Sequence, residues 1–351
     1  MTDRPVGFGR GAGSSGQVVT LVPGAVELDD ETVAGLLPER APRGHKGNFG
    51  KVLAIAGSID YAGSALLVCR AAARAGAGLV TLAVPESLQP LFAAKVVEAT
   101  TMALPEDDVE EVQPEEALAR ILDHEHDAIV LGPGLRPGLA TTELVRELLG
   151  VPAQPTPAPI VLDAEALRSL ATLDGWWEGV HRSAVLTPHA GEFSRLRAGS
   201  GVDPASDGDL VTDDAARANA ARSAAQTWHQ VVVLKGARTV VAAPDGALAV
   251  APFENPALAT GGTGDVLAGA IGSLLAQGLP AFDAARVGVY LHGLAGEAVR
   301  ERLGDAGLLA SDLPAPLAAA RRRLSGIAER RRAGKRLGFG SRGASADGDG
   351  N

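Results

Sequence analysis

The segment Asn255-Pro-Ala-Leu-Ala-Thr-Gly-Gly-Thr-Gly-Asp-Val-Leu-Ala-Gly269 is the most informative part of this sequence. Its glycines and hydroxyls lead into Gly264 and Asp265, and a helical apolar pattern begins at Val266. Such a loop directs free backbone amides to one point at the positive end of a helix dipole. Amides that neutralise a phosphoryl group, with a carboxylate nearby to accept a proton, are what phosphoryl transfer requires. The alternative interpretation is a glycine-rich turn before a buried helix.

The segments before this stretch alternate between short apolar runs and helical patterns. The runs that predict buried strands are Lys51–Ala56, Leu79–Val84, Ala128–Leu131, Ile160–Leu162, Ala184–Leu186 and Val231–Leu234. Ser64–Ala75 has a helical pattern and ends at glycines. This alternation predicts an α/β fold with a mostly parallel sheet and helices on both faces. Pro244-Asp245-Gly246 separates two further apolar runs and predicts an antiparallel hairpin at the edge of the sheet.

Polar or glycine residues follow several of these predicted strands. They are Gly132-Pro-Gly134, Asp163, Thr187-Pro-His189 and Lys235-Gly236. Open α/β sheets bind ligands outside the carboxyl ends of their strands. The sequence therefore predicts one binding rim that contains all four groups.

Composition excludes several classes of protein. Of the 351 residues, 46% are hydrophobic and 21% are charged, which is typical of a soluble globular protein. The net charge of −10 argues against nucleic-acid binding as the main role. Cys69 is the single cysteine, which excludes an internal disulfide. No apolar run reaches 18 residues and no signal-peptide core is visible, so we expect no membrane span and a cytoplasmic location.

The chain divides into three parts by composition. Residues 1–20 are rich in Gly and Ser and are expected to be a disordered tail. Residues 21–312 carry the predicted strands and helices and are expected to form one domain. Residues 313–351 are expected to be an Ala/Arg-rich helix and a disordered tail, with an exposed helix over Leu317 to Arg332. Its two arginine clusters indicate either an interaction tail or a solvated helix face, and we favour the solvated face.

Four segments together resemble a known family. The string from Asn255 to Gly269 resembles the signature of the ADP-dependent NAD(P)H-hydrate dehydratases, which are members of the ribokinase-like superfamily. Three further segments agree in the same order: His45-Lys-Gly-Asn-Phe-Gly50, Leu186-Thr-Pro-His-Ala-Gly-Glu192 and Val233-Leu-Lys-Gly-Ala-Arg-Thr239. The resemblance covers roughly residues 40 to 310. It implies a ribokinase-like three-layer sandwich, with a mostly parallel central sheet and an antiparallel edge hairpin.

The resemblance also implies a reaction. Members of the family dehydrate the S epimer of hydrated NADH or NADPH, and bacterial members use ADP as the co-substrate and release AMP and phosphate. Asp265 would be the catalytic base that activates the hydroxyl of the hydrate. Gly262, Thr263 and Gly264 would form the anion hole for the transferred phosphoryl group. Mg²⁺ would neutralise the nucleotide phosphates, with Glu192 binding it through water.

The family motifs also imply ligand contacts for further residues of this sequence. Substrate contacts are implied for Ser64, Gly134, His189 and Asp265. Nucleotide contacts are implied for Lys235, Gly236, Ala237, Arg238, Thr239 and Gly264. Ser64 stands where the family commonly has alanine, and Arg136 replaces the third glycine of a Gly-Pro-Gly-Leu-Gly stretch. A side chain there would be costly if the backbone needed a positive φ. His45 and Lys46 are interpreted either as a structural turn or as a substrate contact.

Two other functions compete with this reading. One is an ATP-dependent kinase of the same fold that acts on a vitamin-precursor alcohol, and His189 in place of asparagine argues against it. The other is a nucleotide-binding regulator without catalysis, which would not need the carboxylate of Asp265. The family resemblance further implies a homotetramer and a separate NAD(P)H-hydrate epimerase in the pathway, with no epimerase domain expected in the short tract before residue 40.

Overall fold

The computed structural model describes residue 22 and residues 24–108, 111–152, 157–198, 200–202 and 209–336, with the side chains of 334–336 excepted. The two predicted disordered tails, residues 1–20 and the end beyond residue 336, lie outside the described residues. The three-part division of the chain therefore stays a prediction.

The described chain alternates between strands and helices. The strands are β1 (Ala25–Glu27), β2 (Lys51–Ile55), β3 (Leu79–Pro85), β4 (Thr100–Leu104), β5 (Ala128–Leu131), β6 (Ile160–Leu162), β7 (Ala184–Leu186), β8 (Val231–Leu234), β9 (Val240–Ala242) and β10 (Leu248–Val250). The helices are α1 (Asp30–Leu36), α2 (Ala62–Ala75), α3 (Gln89–Ala93), α4 (Pro114–Asp123), α5 (Leu139–Leu149), α6 (Glu165–Leu170), α7 (Ala190–Arg197), α8 (Asp214–Trp228), α9 (Thr263–Ala276), α10 (Ala281–Leu303) and α11 (Pro314–Arg336).

The strands form one sheet in the order β1-β10-β9-β8-β7-β6-β5-β2-β3-β4. The pairs from β8 through β7, β6, β5, β2 and β3 to β4 are parallel, whereas β9 is antiparallel to both β8 and β10. The predicted fold class is therefore confirmed, including the hairpin of β9 and β10. All the parallel strands point their carboxyl ends at the same edge of the sheet, which is the predicted binding rim.

Helices cover both faces of the sheet and create two apolar layers. One layer packs α2, α9 and α10 against residues such as Val52, Val130 and Val161. The other packs α4, α5 and α8 against the alternate residues of the same strands, among them Leu53, Ile129 and Leu162. Strands buried on both faces explain why they appear in the sequence as continuous apolar runs. Helix α9 lies at the centre of its layer and is buried from Val266 to Ala276.

The last helix differs from the sequence expectation. A helix does span the predicted region, but only one of its faces is solvated, because Leu317 and Leu324 are completely buried against the domain. Its arginines also contact the domain: Arg321 donates to the carbonyl of Ala75, and Arg323 pairs with Asp30. The expectation of an exposed helix is therefore wrong for this face, whereas Arg322, Arg330 and Arg331 lie on the exposed face, as expected for a solvated one. The segment was expected to be exposed because it is rich in alanine and arginine. Its leucines, however, are spaced seven residues apart and lie on one face of the helix.

Within the described residues, no helix combines the length and the apolar character needed to cross a bilayer.

Candidate functional site

The predicted rim brings together residues that follow three adjacent strands. Lys235, after β8, donates from Nζ to Oδ1 of Asp163 after β6, at 2.7 Å. Thr187, after β7, donates to the same oxygen at 2.8 Å. Asp163 and Thr187 are buried. Burial alone would lower the pKa of Lys235, but Asp163 and Glu192 outweigh it and raise that pKa above its ordinary value. The rim therefore holds a fixed ammonium group.

Asp265 is the third residue of α9 and faces this ammonium group. Burial raises the pKa of Asp265 to about 6, a hydrogen bond from Ser64 opposes the shift, Asp163 adds to it and Lys235 reduces it. A carboxyl with such a pKa is mostly ionised at neutral pH and remains a stronger base than an exposed aspartate. The structure therefore brings the predicted base into contact with Ser64, one of the predicted substrate contacts.

The turn before α9 exposes backbone amides beside Asp265. Gly262 has a φ of 89°, and a Cβ at this position would lie 2.8 Å from Leu67 Cδ1, so the turn requires glycine. Thr263 donates its hydroxyl to the carbonyl of Thr260 or Leu258, each 2.9 Å away. Within the described part of the chain, the amides of Gly264 and Asp265 have no hydrogen-bond partner. These amides at the start of a 14-residue helix make a candidate anion site.

His292 supports this turn from α10 and was missed by the sequence analysis. Its Nε2 lies 2.9 Å from the carbonyl oxygen of Thr263, and burial lowers its pKa to about 4. A neutral imidazole therefore donates to that carbonyl. No motif indicated this contact, because His292 lies in the middle of a long amphipathic helix that follows the signature segment.

A cavity of about 500 Å³ opens beside the anion site. Lys235, Thr239 and Gly264 line its polar end, and its apolar wall contains Phe253, Leu258, Leu267 and Val289. This size and lining are typical of a site for a nucleotide-sized ligand. Gly236 and Ala237 also line the cavity.

Arg238 is the member of the predicted nucleotide segment that does not line this cavity. Its buried guanidinium instead pairs with Glu27 at 2.7 Å and Asp214 at 3.4 Å. Its backbone adopts a φ of 52°, which is unusual for a residue with a side chain. The Arg238 side chain therefore stabilises the segment through these ion pairs and does not line the cavity.

His189 and Glu192 form a reciprocal cap at the start of α7. Nδ1 of His189 accepts from the amide of Gly191 at 3.0 Å, and Glu192 accepts from the amide of His189 at 2.9 Å. Because Nδ1 is an acceptor, the neutral ring carries its proton on Nε2, which lies 3.5 Å from Glu192. Glu192 also lies 3.7 Å from Nζ of Lys235. The cap therefore fixes both residues at the rim.

Gly134 packs against the start of α2. Its φ is 68°, and a Cβ there would lie 2.7 Å from Cβ of Ser64. Arg136, two residues later, does not have a positive φ, so its side chain carries no backbone penalty. His45 lies before β2, at the opposite edge of the sheet, where its Nδ1 accepts from the amide of Gly47 at 3.1 Å. Of the two interpretations of His45 and Lys46, the geometry is that of a structural turn.

Comparison with known proteins agrees with this geometry. A family model described as NAD(P)H-hydrate dehydratase matches residues 52–317. The ADP-dependent (S)-NAD(P)H-hydrate dehydratase of Xanthomonas campestris is 37% identical over 279 residues, which are 79% of this chain and 90% of that protein. The bifunctional NAD(P)H-hydrate repair enzyme Nnr of Moorella thermoacetica is 43% identical over 79% of this chain, but this chain spans only 50% of its length.

A solved structure gives the same result. The ADP/ATP-dependent NAD(P)H-hydrate dehydratase of Bacillus subtilis, co-crystallised with ATP and Mg²⁺, superposes with a TM-score of 0.70 at 32% identity. The match covers 86% of this chain and 99% of that one.

Proposed function

The chain belongs to the NAD(P)H-hydrate dehydratase family, and we propose that it dehydrates the S epimer of hydrated NADH or NADPH at the expense of ADP. The products would be NAD(P)H, AMP and phosphate. One observation carries the proposal: Asp265 lies buried beside Ser64 and the Lys235–Asp163 pair, and Lys235 and Gly264 line a nucleotide-sized cavity.

The reaction follows from the poor leaving ability of hydroxide. Asp265 accepts the proton of the ring hydroxyl while the hydroxyl oxygen attacks the β-phosphorus of ADP. The bond from that phosphorus to the bridging oxygen breaks, and AMP leaves. The phosphate group then departs from the ring with the electrons of the carbon–oxygen bond. Loss of a proton from the neighbouring ring carbon restores the double bond and completes NAD(P)H.

The anion site supports this transfer electrostatically. The free amides of Gly264 and Asp265, with the turn of Gly262 and Thr263, would hold the migrating phosphoryl group. Lys235 carries a positive charge at the same rim, 2.7 Å from Asp163. These charges are fixed before the reaction begins, so little reorganisation accompanies it.

The same geometry supports the nucleotide and substrate contacts that the resemblance implies. Lys235, Gly236, Ala237, Thr239 and Gly264 line the cavity and would contact ADP, and Arg238 would act through its backbone. Ser64, Gly134 and His189 would contact the hydrated ring or its phosphates.

Magnesium fits the residues present if it is bound mainly by the nucleotide. Among the described residues, no group of three or more His, Cys, Asp or Glu side chains is arranged to hold a metal ion. The carboxylates of Asp163 and Glu192 already contact Lys235. Mg²⁺ usually keeps several waters and takes its other ligands from phosphates, so Glu192 would bind one of those waters. When bound, the ion would neutralise charge on the nucleotide phosphates.

Product analysis tests the proposal. Purified protein is incubated with hydrated NADPH and either ADP or ATP, with Mg²⁺ present. We expect formation of AMP and phosphate, recovery of the absorbance of the reduced ring, and faster turnover with ADP. Phosphorylation of a vitamin-precursor alcohol by ATP, with no activity on the hydrate, would instead support the kinase alternative.

Three wider features remain proposals. We infer a homotetramer from the family resemblance, and light scattering of the purified chain would test it. We also infer that a separate epimerase supplies the S epimer and that the enzyme acts in the cytoplasm. An R-epimer preparation should therefore stay unreacted until an epimerase is added.

A further inference from the structure

A second cavity of about 70 Å³ lies beside the turn that contains Gly134. Its polar lining comes from Ser58 after β2, Arg136, Thr141 and Glu111, and the rest of its wall is mostly apolar, with Ile55, Leu104, Val112 and Leu144 among its members. It shares no lining residue with the nucleotide cavity. A water needs roughly 10–15 Å³ of such space, so this cavity has room for a small group such as a phosphate.

Ser58 gives the first indication of a ligand. Its side chain is only 4% exposed, and within the described residues its Oγ has no hydrogen-bond partner. A buried hydroxyl without a partner loses the hydrogen bonds that it makes to water in the unfolded chain. An acceptor oxygen in the cavity would satisfy it.

Helix α5 gives the second indication. It has 11 residues, begins after Gly138 without a side-chain cap, and has no acidic residue in its first turn. Helix α5 itself therefore supplies no side-chain acceptor and no carboxylate for the partial positive charge of its first turn. Ala140 and Thr141 of this first turn line the cavity.

Arg136 gives the third indication. It is exposed at the cavity, and its guanidinium makes no ion pair with any described residue. Thr141 donates to the carbonyl of Arg136 at 2.7 Å and so ties the residue to α5. One acidic residue, the exposed Glu111, also lines the cavity and carries the opposite charge to Arg136.

We propose that this cavity binds a phosphate group of the hydrated dinucleotide, through Arg136, the Ser58 hydroxyl and the α5 amides. The inference rests on the proposed function, because it needs Gly134 to face that substrate. Arg136 lies two residues from Gly134, so their Cα atoms are at most about 7 Å apart. The phosphate is either the 2′-phosphate of the NADPH form or part of the diphosphate that both forms share.

Steady-state kinetics with Arg136→Gln and Ser58→Ala test this subsite. Arg302→Gln, which removes an exposed arginine at the end of α10, is the matched control for the loss of charge. We expect Arg136→Gln to raise KM for the hydrated substrate about tenfold, and Ser58→Ala about threefold, with KM for ADP unchanged. An effect confined to the NADPH hydrate assigns the 2′-phosphate, and equal effects on both hydrates assign the diphosphate.

Unchanged KM values in both variants would overturn the inference, as would an equal effect of Arg302→Gln or a change in KM for ADP alone. Equilibrium titration of the products NADPH and NADH, followed by their fluorescence, measures the same contact without turnover. If the protein lacked dehydratase activity but its NADPH affinity still depended on Arg136, the proposed function would fail and the subsite would stand. If the enzyme were active but its affinity for NADPH did not depend on Arg136, the subsite would fail and the proposed function would stand.

Discussion

Asp265 is the residue whose ionisation should control the pH dependence of turnover. Burial raises its pKa to about 6, and only the ionised carboxylate accepts a proton. We therefore expect kcat/KM for the hydrate to rise with pH, to be half-maximal near pH 6, and to level off above about pH 7. Initial rates across this range, at hydrate concentrations well below KM, provide the measurement. A rate that is flat or falls across it would show that Asp265 is not the base.

Replacement of Asp265 by asparagine should separate chemistry from stability. We expect turnover to fall by about 10²–10⁴-fold, while ADP still binds. The pKa of Asp265 in the folded protein lies above its value in the unfolded chain, so folding favours the neutral carboxyl. This stabilisation of the folded protein is lost as the pH rises through about 6. Asp265→Asn should accordingly raise Tm at pH about 8, with the gain shrinking toward pH about 4. Thermal unfolding at both pH values and ADP titration measure these effects, and near-normal turnover would contradict the assigned role.

His189 and Glu192 share a cap but should differ in function. Glu192→Gln keeps the capping geometry, because glutamine serves at this position, but removes the charge beside Lys235. We expect it to raise the Mg²⁺ concentration needed for half-maximal rate. His189→Ala should mainly raise KM for the hydrate, and His189→Asn, which retains a capping side chain, is its control for helix stability. Identical metal dependence in all three variants, with unchanged KM for the hydrate, would rule out this division.

At the level of elements, the apolar runs predicted six of the parallel strands, four of them with the observed ends. Strand β4 was missed because Thr100 and Thr101 interrupt its apolar character at the sheet edge. Parallel topology then placed Asp163, Thr187 and Lys235 together, since strand ends meet at one edge. The support from His292 and the position of Arg238 were not predictable, because they depend on how α10 and α8 pack against loops distant in sequence.

The loop from Lys235 to Thr239 is an element whose shape depends on α8. Arg217 is buried, pairs with Asp214, and lies directly against Gly236, while Asp214 also contacts Arg238. We expect Arg217→Met to leave Asp214 under-compensated, to cost about 3–5 kcal/mol of stability, and to raise KM for ADP more than it lowers kcat. Urea unfolding and ADP kinetics test this expectation. Arg146→Met, which breaks an exposed ion pair with Glu143, should change stability by about 0.5 kcal/mol or less.

At the scale of the whole molecule, α11 closes one face of the sandwich. It packs against α1, α2 and α10, and Leu317 and Leu324 are fully buried there. Deletion of residues 314–351 would expose this surface, and loss of two buried leucines alone typically costs several kcal/mol. We expect that variant to be insoluble or to have a Tm lower by about 10 °C or more.

Deletion of residues 337–351 is the matched control, because this segment has only two large apolar residues, Leu337 and Phe339, among its glycines and polar residues. It should leave Tm and turnover nearly unchanged. Differential scanning fluorimetry of both truncations, with turnover measured for each soluble one, distinguishes the alternatives. A large fall in Tm from the shorter deletion would mean that the stabilising contacts extend beyond α11. An unchanged Tm in the longer deletion would mean that the domain folds without this helix, and that its buried leucines contribute little to stability.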